Sequence, residues 1–143
     1  MRGTRAEGVT NLRVRYGETD QMGFVYHPNY LVWCEIGRTE LMRDLGFPYA
    51  AIEASGTRLA VADASLRYAR AARYDDDIRI VTRVTAVQSR TITFTYEIIR
   101  VDGPSAELLA TASTRLIAID ERGAPRRLPP ELHERFSEAS SSS

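Results

Sequence analysis

From Arg15 to Arg38 the chain reads Arg-Tyr-Gly-Glu-Thr-Asp-Gln-Met-Gly-Phe-Val-Tyr-His-Pro-Asn-Tyr-Leu-Val-Trp-Cys-Glu-Ile-Gly-Arg, and this stretch concentrates the side chains suited to chemistry. Asp20 stands in a polar loop, and His27 comes just before Pro28, a residue that the first turn of a helix accepts. The first N–H groups of a helix have no internal acceptor and carry positive partial charge, so an anion is favoured beside them. Those same N–H groups can polarise a carbonyl oxygen. A fixed carboxylate next to an oxyanion donor is the equipment of acyl transfer. Two plainer readings stand beside it: Asp20 only caps a turn, and His27 only caps the helix.

Other chemistries drop out. There is no Gly-x-Ser-x-Gly elbow, Gly-x-Gly-x-x-Gly turn or P-loop, which removes serine hydrolase, dinucleotide and nucleotide-triphosphate readings. All nineteen basic residues are Arg, so lysine Schiff bases and lysine general bases are excluded. Asp75-Asp76-Asp77 reads as a solvated turn rather than a metal site, since no His or Cys has ligand spacing; no metal is expected. His133 reads as a surface residue.

The elements that must position Asp20 and His27 follow from periodicity. Asn11–Gly17 alternates Leu12, Val14 and Tyr16 with Arg13 and Arg15, a half-exposed strand after a loose lead-in over residues 1–9. From Pro28 to about Leu45 the spacing turns helical, with Tyr30, Trp33, Cys34, Gly37, Leu41 and Leu45 on one stripe widened by Leu31 and Met42. Glu35 with Arg38, and Glu40 with Arg43, are three-apart pairs expected on the exposed side. Gly37 in mid-helix costs roughly 1 kcal/mol against Ala. Close sheet backbone and a tolerated surface Gly explain it equally well. A short helix over 48–54 is followed by strands over 58–70, 76–87, 90–101 and 106–119, and Asp102-Gly103-Pro104-Ser105 is a hairpin turn. Ile78, Ile80, Val84 and Ala86 should share one face, as should Ile92, Phe94, Tyr96 and Ile98. A short helix over 129–136 and a polar tail from Ser140 complete the reading. One apolar helix must be covered by the common face of the antiparallel strands, which gives an α+β domain with one sheet curling around a central helix. A sheet with one principal helix leaves edges open, so self-association is expected.

With 143 residues and 43% hydrophobic content, the chain fits one domain over 1–143. Zero net charge argues against nucleic acid as a partner. A single cysteine, no signal-like N-terminus and no long apolar run point to a cytoplasmic protein without a membrane span.

The pattern Thr19-Asp20-x-x-Gly23-x-Val25-Tyr26-His27-Pro28-Asn29-Tyr30, followed by Trp33-x-Glu35-x-Gly37-Arg38, resembles the signature of the hotdog-fold acyl-CoA thioesterases, in the 4-hydroxybenzoyl-CoA thioesterase branch with its YbgC-like members. Leu66–Asp76 and Ala110–Asp120 resemble further segments of that family, so the likeness covers about residues 11–120. The chain departs from it at Ala71, where many members have Pro. The resemblance implies a hotdog fold, a five- to six-stranded antiparallel sheet wrapped around one long helix. It implies Asp20 as the essential carboxylate, the backbone N–H at His27 as the group polarising the thioester carbonyl, and Tyr16 with the His27 side chain as assistants. Gly23, Val25, Tyr26 and Trp33 are candidate substrate-binding positions. It also implies an acyl-CoA substrate with no cofactor beyond the substrate's own coenzyme A, and a homo-oligomer, dimer or dimer of dimers, with sites at the dimer interface. Hydrolysis of an acyl or aroyl thioester is the leading expectation. The alternatives are action on an acyl carrier protein and a noncatalytic hotdog protein that binds acyl thioesters.

Overall fold

The structure is a computed structural model that describes residues 7–141. The opening of the expected lead-in and the last two residues of the polar tail lie outside them. Five strands, β1 (Glu7–Arg13), β2 (Arg58–Tyr68), β3 (Asp77–Val87), β4 (Thr91–Asp102) and β5 (Ser105–Ile119), form one sheet in the order β1-β3-β4-β5-β2. Every neighbouring pair is antiparallel. The helices are α1 (Pro28–Asp44), α2 (Tyr49–Ala54) and α3 (Pro130–Ser141). None of the helices among the described residues is long and apolar enough to cross a membrane.

α1 packs on β1 and β3, and its buried stripe is Tyr30, Trp33, Cys34, Gly37, Leu41 and Met42. Leu31 does not join that stripe: it is exposed, as are Val32 and Ile36. A Cβ at Gly37 would lie 2.5 Å from Thr82 Oγ1 and 3.0 Å from Ile80 Cγ2, so this glycine is a close approach to the sheet, made against β3 side chains rather than against the sheet backbone that the sequence suggested. Of the two expected helix pairs, Glu40 and Arg43 form an ion pair at 2.6 Å. Arg38 instead lies close enough to Tyr96 and Cys34 to act on both.

Facing α1, β4 contributes Ile92, Phe94, Tyr96 and Ile98, all buried as the alternation requires. On β3, Ile78, Ile80 and Val84 are buried but Ala86 is exposed, because the pairing with β4 shifts between Val84 and Ala86 and turns the strand end over. β1 starts and ends earlier than its alternation suggests. Its ladder runs from Glu7 opposite Arg83 to Arg13 opposite Asp77, where β3 itself begins. Beyond that point Tyr16 has no strand to pair with and enters a 3₁₀ turn, Tyr16–Glu18.

The domain's core extends beyond the 11–120 span. Leu128, Leu132 and Phe136 are fully part of it, and the Phe136 ring stands edge-on to Phe47 and Phe94 at centroid distances of 5.9 and 6.4 Å. α3 therefore closes the layer beside the C-terminal end of α1, and it runs through Ser140, where a structureless tail was expected.

Candidate functional site

Asp20 sits on a small hairpin built from main-chain bonds. The Asp20 N–H donates to the Phe24 carbonyl at 2.8 Å, the Tyr26 N–H donates to the Glu18 carbonyl at 2.9 Å, and Thr19 bridges Val25. Gly23 makes the turn at φ +84°, a left-handed conformation that glycine adopts without a Cβ penalty. The outer strand of this hairpin is bonded in turn to the segment between β2 and β3. The Val25 N–H donates to Ala72 O at 3.0 Å and the Tyr74 N–H to Gly23 O at 3.1 Å. Main-chain bonds thus fix the shape of the hairpin on which Asp20 stands.

The Asp20 side chain does cap its turn. Oδ1 accepts from the N–H groups of Met22 at 2.8 Å and Phe24 at 3.2 Å. Oδ2 has no hydrogen-bond partner among the described residues, which leaves one oxygen held and the other available. The capping reading and the chemical reading are therefore compatible.

His27 is the residue at the N-terminus of α1, and its side chain caps nothing. Its ring instead lies against Tyr68, tilted by 35° with centroids 4.7 Å apart. Its amide N–H has no acceptor among the described residues, whereas its neighbours Tyr26 and Asn29 donate to Glu18 and Tyr26 carbonyls. The first turn of α1 contains no acidic residue, so the positive end of the helix is not neutralised from within.

Asp20 and His27 line one cavity of about 610 Å³, together with Phe24, Val25, Tyr26, Tyr30, Tyr68, Ala69, Arg70 and Ala71. The walls are mostly aromatic and aliphatic. Burial pushes the Tyr30 phenol up, with an opposing pull from the Ala72 amide that it accepts at 2.8 Å. Burial, with Tyr30 beside it, raises Tyr68 as well. Both rings therefore face the cavity as neutral phenols near neutral pH.

Four of the residues singled out from the sequence line this cavity: Asp20, Val25, Tyr26 and His27. Gly23 shapes the turn beneath it. Tyr16 lies outside: it is 77% exposed and stands edge-on to Tyr74 at 5.7 Å. Trp33 is also absent from the wall, being completely buried with its Nε1 donating to Glu18 Oε2 at 2.9 Å. Conversely, Tyr68 and Ala69–Ala71 were not legible as site residues, since they arrive from β2, far along the chain, and only pairing of the hairpin with residues 72–74 brings them near. The Asp triad is engaged in ion pairs, Asp75 and Asp77 with Arg13 and Asp76 with Arg100. No group of three metal-ligating side chains occurs among the described residues.

A second cavity of about 780 Å³ shares Phe24, Ala69, Arg70 and Ala71 with the first and adds Arg73, Arg100 and four aspartates. It is the larger of the two, yet its arginines are largely engaged with carboxylates. Asp20 and His27 are not in its lining.

Residues 14–136 match the thioesterase-like superfamily. The chain is 35% identical over 132 residues to a putative acyl-CoA thioesterase, YneP, of Bacillus subtilis, covering 90% of this chain and 94% of that protein. It is 30% identical over 128 residues to the acyl-CoA thioester hydrolase YbgC of Escherichia coli, covering 89% and 93%. Among solved structures, a DHNA-CoA thioesterase from Staphylococcus aureus superposes with a TM-score of 0.88 at 34% identity, over 94% of this chain and 91% of that one.

Proposed function

The chain belongs to the thioesterase-like superfamily and is a thioester hydrolase of the acyl-CoA class; on that premise we propose that Asp20 is its reacting carboxylate and the His27 amide its oxyanion donor. The observation that carries the assignment is the division of labour at Asp20. Oδ1 is locked by two backbone N–H groups while Oδ2 is unengaged, on a residue that lines the same cavity as an unpaired helix-terminal N–H.

The thioester carbonyl oxygen lies against the His27 N–H, which takes up negative charge as the carbonyl carbon becomes tetrahedral. Oδ2 either attacks that carbon or draws a proton from a water that does. In the first route a C–O bond forms, the C–S bond breaks, and the mixed anhydride is then hydrolysed to the acid. In the second, water supplies the oxygen directly. A thiol with a pKa near ~8.5 leaves as thiolate with little acid assistance, so neither route needs a strong general acid at sulfur. The His27 ring, held by Tyr68, orients the water. Coenzyme A enters as part of the substrate, and the reading needs no cofactor.

Assembly belongs to the same proposal. β2 is an edge strand, exposed along most of its length, with Val61 in solvent. α1 leaves Leu31, Val32 and Ile36 in solvent. An unpaired edge strand and exposed apolar side chains on the helix are suited to a second copy of the chain, joined sheet edge to sheet edge. Sedimentation at micromolar concentration is expected to give a dimer or a dimer of dimers, and a monomer would count against it.

The test is thiol release from a panel of acyl-CoA and aroyl-CoA thioesters, with acyl carrier protein thioesters alongside, for wild type and Asp20→Asn. The variant is expected to lose roughly 10²- to 10⁴-fold in kcat. Equal rates in the two proteins would remove Asp20 from the mechanism. Turnover confined to carrier-protein thioesters would move the substrate assignment.

A further inference from the structure

We propose that Glu18 is a positioning residue for the reaction: its buried carboxylate ties the loop that carries Asp20 to helix α1 through Trp33. The inference rests on the reading of Asp20 as the reacting group.

Glu18 is only 6% exposed, an unusual place for a carboxylate unless it is fully partnered. Oε1 accepts the Arg15 N–H at 2.8 Å and Oε2 accepts the Trp33 indole N–H at 2.9 Å, with the Arg15 guanidinium 3.6 Å away. Its main chain is held from the same helix and from across the hairpin. The Glu18 carbonyl accepts from Asn29 Nδ2 on α1 and from the Tyr26 N–H of the hairpin, both at 2.9 Å. Trp33 and Asn29 lie on α1, whose start carries the His27 amide. Asp20 is two residues past Glu18 on the site hairpin. Glu18 is therefore the joint that sets the distance from the carboxylate to the oxyanion donor, because one is carried by the loop and the other by the helix.

The side-chain chemistry fits that role. A carboxylate offers two acceptor oxygens and can take a backbone N–H and an indole N–H together. A glutamine of the same shape offers one acceptor and one donor, so one of the two N–H groups would then face an NH₂. Arg15 holds the carboxylate from the loop side and Trp33 from the helix side, and losing either lets the loop move relative to α1. Glu18 and Trp33 touch neither the cavity nor the reacting atoms, and both act through Asp20.

The chain has a single tryptophan, so one indole N–H resonance reports this bond without ambiguity. Glu18→Gln is expected to move that resonance and to lower kcat roughly ten- to a hundredfold, with KM changed by less than about threefold. Trp33→Phe keeps an aromatic ring in the core, removes the donor and is expected to lower kcat in the same direction, so it carries the test if Glu18→Gln does not fold. A merely structural role predicts a lower melting temperature with kcat intact. Wild-type kcat in either folded variant, or a loss confined to KM, overturns the proposal. Asp20→Asn run in parallel separates the two readings. If it is inactive while Glu18→Gln is fully active, only the positioning role fails; if it is fully active, the assignment of Asp20 fails first.

Discussion

Replacing Gly37 with Ala should harm the protein although it improves the helix. In a solvent-exposed helix interior the change is worth about 1 kcal/mol in favour of Ala. Here the added Cβ lies 2.5 Å from Thr82 Oγ1 and 3.0 Å from Ile80 Cγ2. Comfortable contact between such atoms is near ~3.5–4.0 Å, so α1 would have to lift from β3 by roughly 1 Å. Thr82 cannot yield easily, since it is β-branched, fully buried and fixed in a central region of the sheet. Overpacking of this kind costs about 1–3 kcal/mol, and two simultaneous short contacts put it at the upper end. The net loss is about 2 kcal/mol, or roughly 4–8 °C in melting temperature for a chain of this length. Thermal unfolding at fixed protein concentration measures it, and kcat should fall too because α1 carries the His27 amide. Adding Thr82→Ala removes the nearer contact and should restore part of the loss. Thr82 Oγ1 is buried without a hydrogen-bond partner, so that second change sacrifices no bond. A Gly37→Ala protein as stable as wild type or more so would refute the close approach and the seating of α1 on β3.

Phe136→Ala should cost about 3–5 kcal/mol in denaturant unfolding, since it empties a fully buried ring site between Phe47 and Phe94; a loss below ~1 kcal/mol would mean α3 is not docked. Burial pushes the Cys34 thiol up from 9.0 to about 12, against a smaller downward pull from Arg38. The native thiol should therefore resist alkylating reagents until the protein unfolds. The folded pKa is the raised one, so this contribution to stability is complete below 9.0 and is lost as pH climbs toward about 12; a urea titration across that window should show it as a falling midpoint. Tyr68→Phe keeps the ring against His27 and should retain kcat/KM within about threefold, whereas Tyr68→Ala should lose up to roughly tenfold, the ring contact being worth about 0.5–1.5 kcal/mol. Equal losses in the two variants would assign the effect to the hydroxyl instead.

Much of this architecture could be read from residue order, and the exceptions share a cause. β4 was legible because its four apolar residues alternate without interruption on one buried face. β1 starts and ends earlier than its alternation suggests, because alternation in a strand says nothing of where its partner stops. Ala86 left its face through a register shift, which a period-two pattern cannot contain. α3 shows Leu132 and Phe136 at helical spacing, but the surface that receives them is assembled from Phe47 and Phe94, distant in the chain. At the site, Asp20 and His27 stand out in the sequence because a loop before a helix start is a local feature, and both line the cavity. Trp33 and Tyr16 do not line it, which the sequence alone does not show, since a large aromatic beside a motif suits a wall, a core or an open surface equally well. Glu18 decided the first case by binding the indole. The start of β3, where β1 loses its partner, decided the second by releasing the chain before Tyr16.

The hairpin that presents Asp20 is held almost wholly by main-chain bonds, while the cavity around it is made of side chains from Phe24, Tyr26, Tyr30 and Tyr68. Peptide groups are the same whatever residue carries them. Substitutions in the wall can therefore change the size and chemistry of the acyl group admitted while the carboxylate keeps its coordinates. With Asp20 as the proposed reacting group, selectivity and reactivity are then carried by different atoms of the chain. A library that varies Phe24 and Tyr26 while leaving Glu18, Gly23, Tyr68 and Ala72 alone would explore new acyl groups without disturbing the residues that hold Asp20 and the His27 ring.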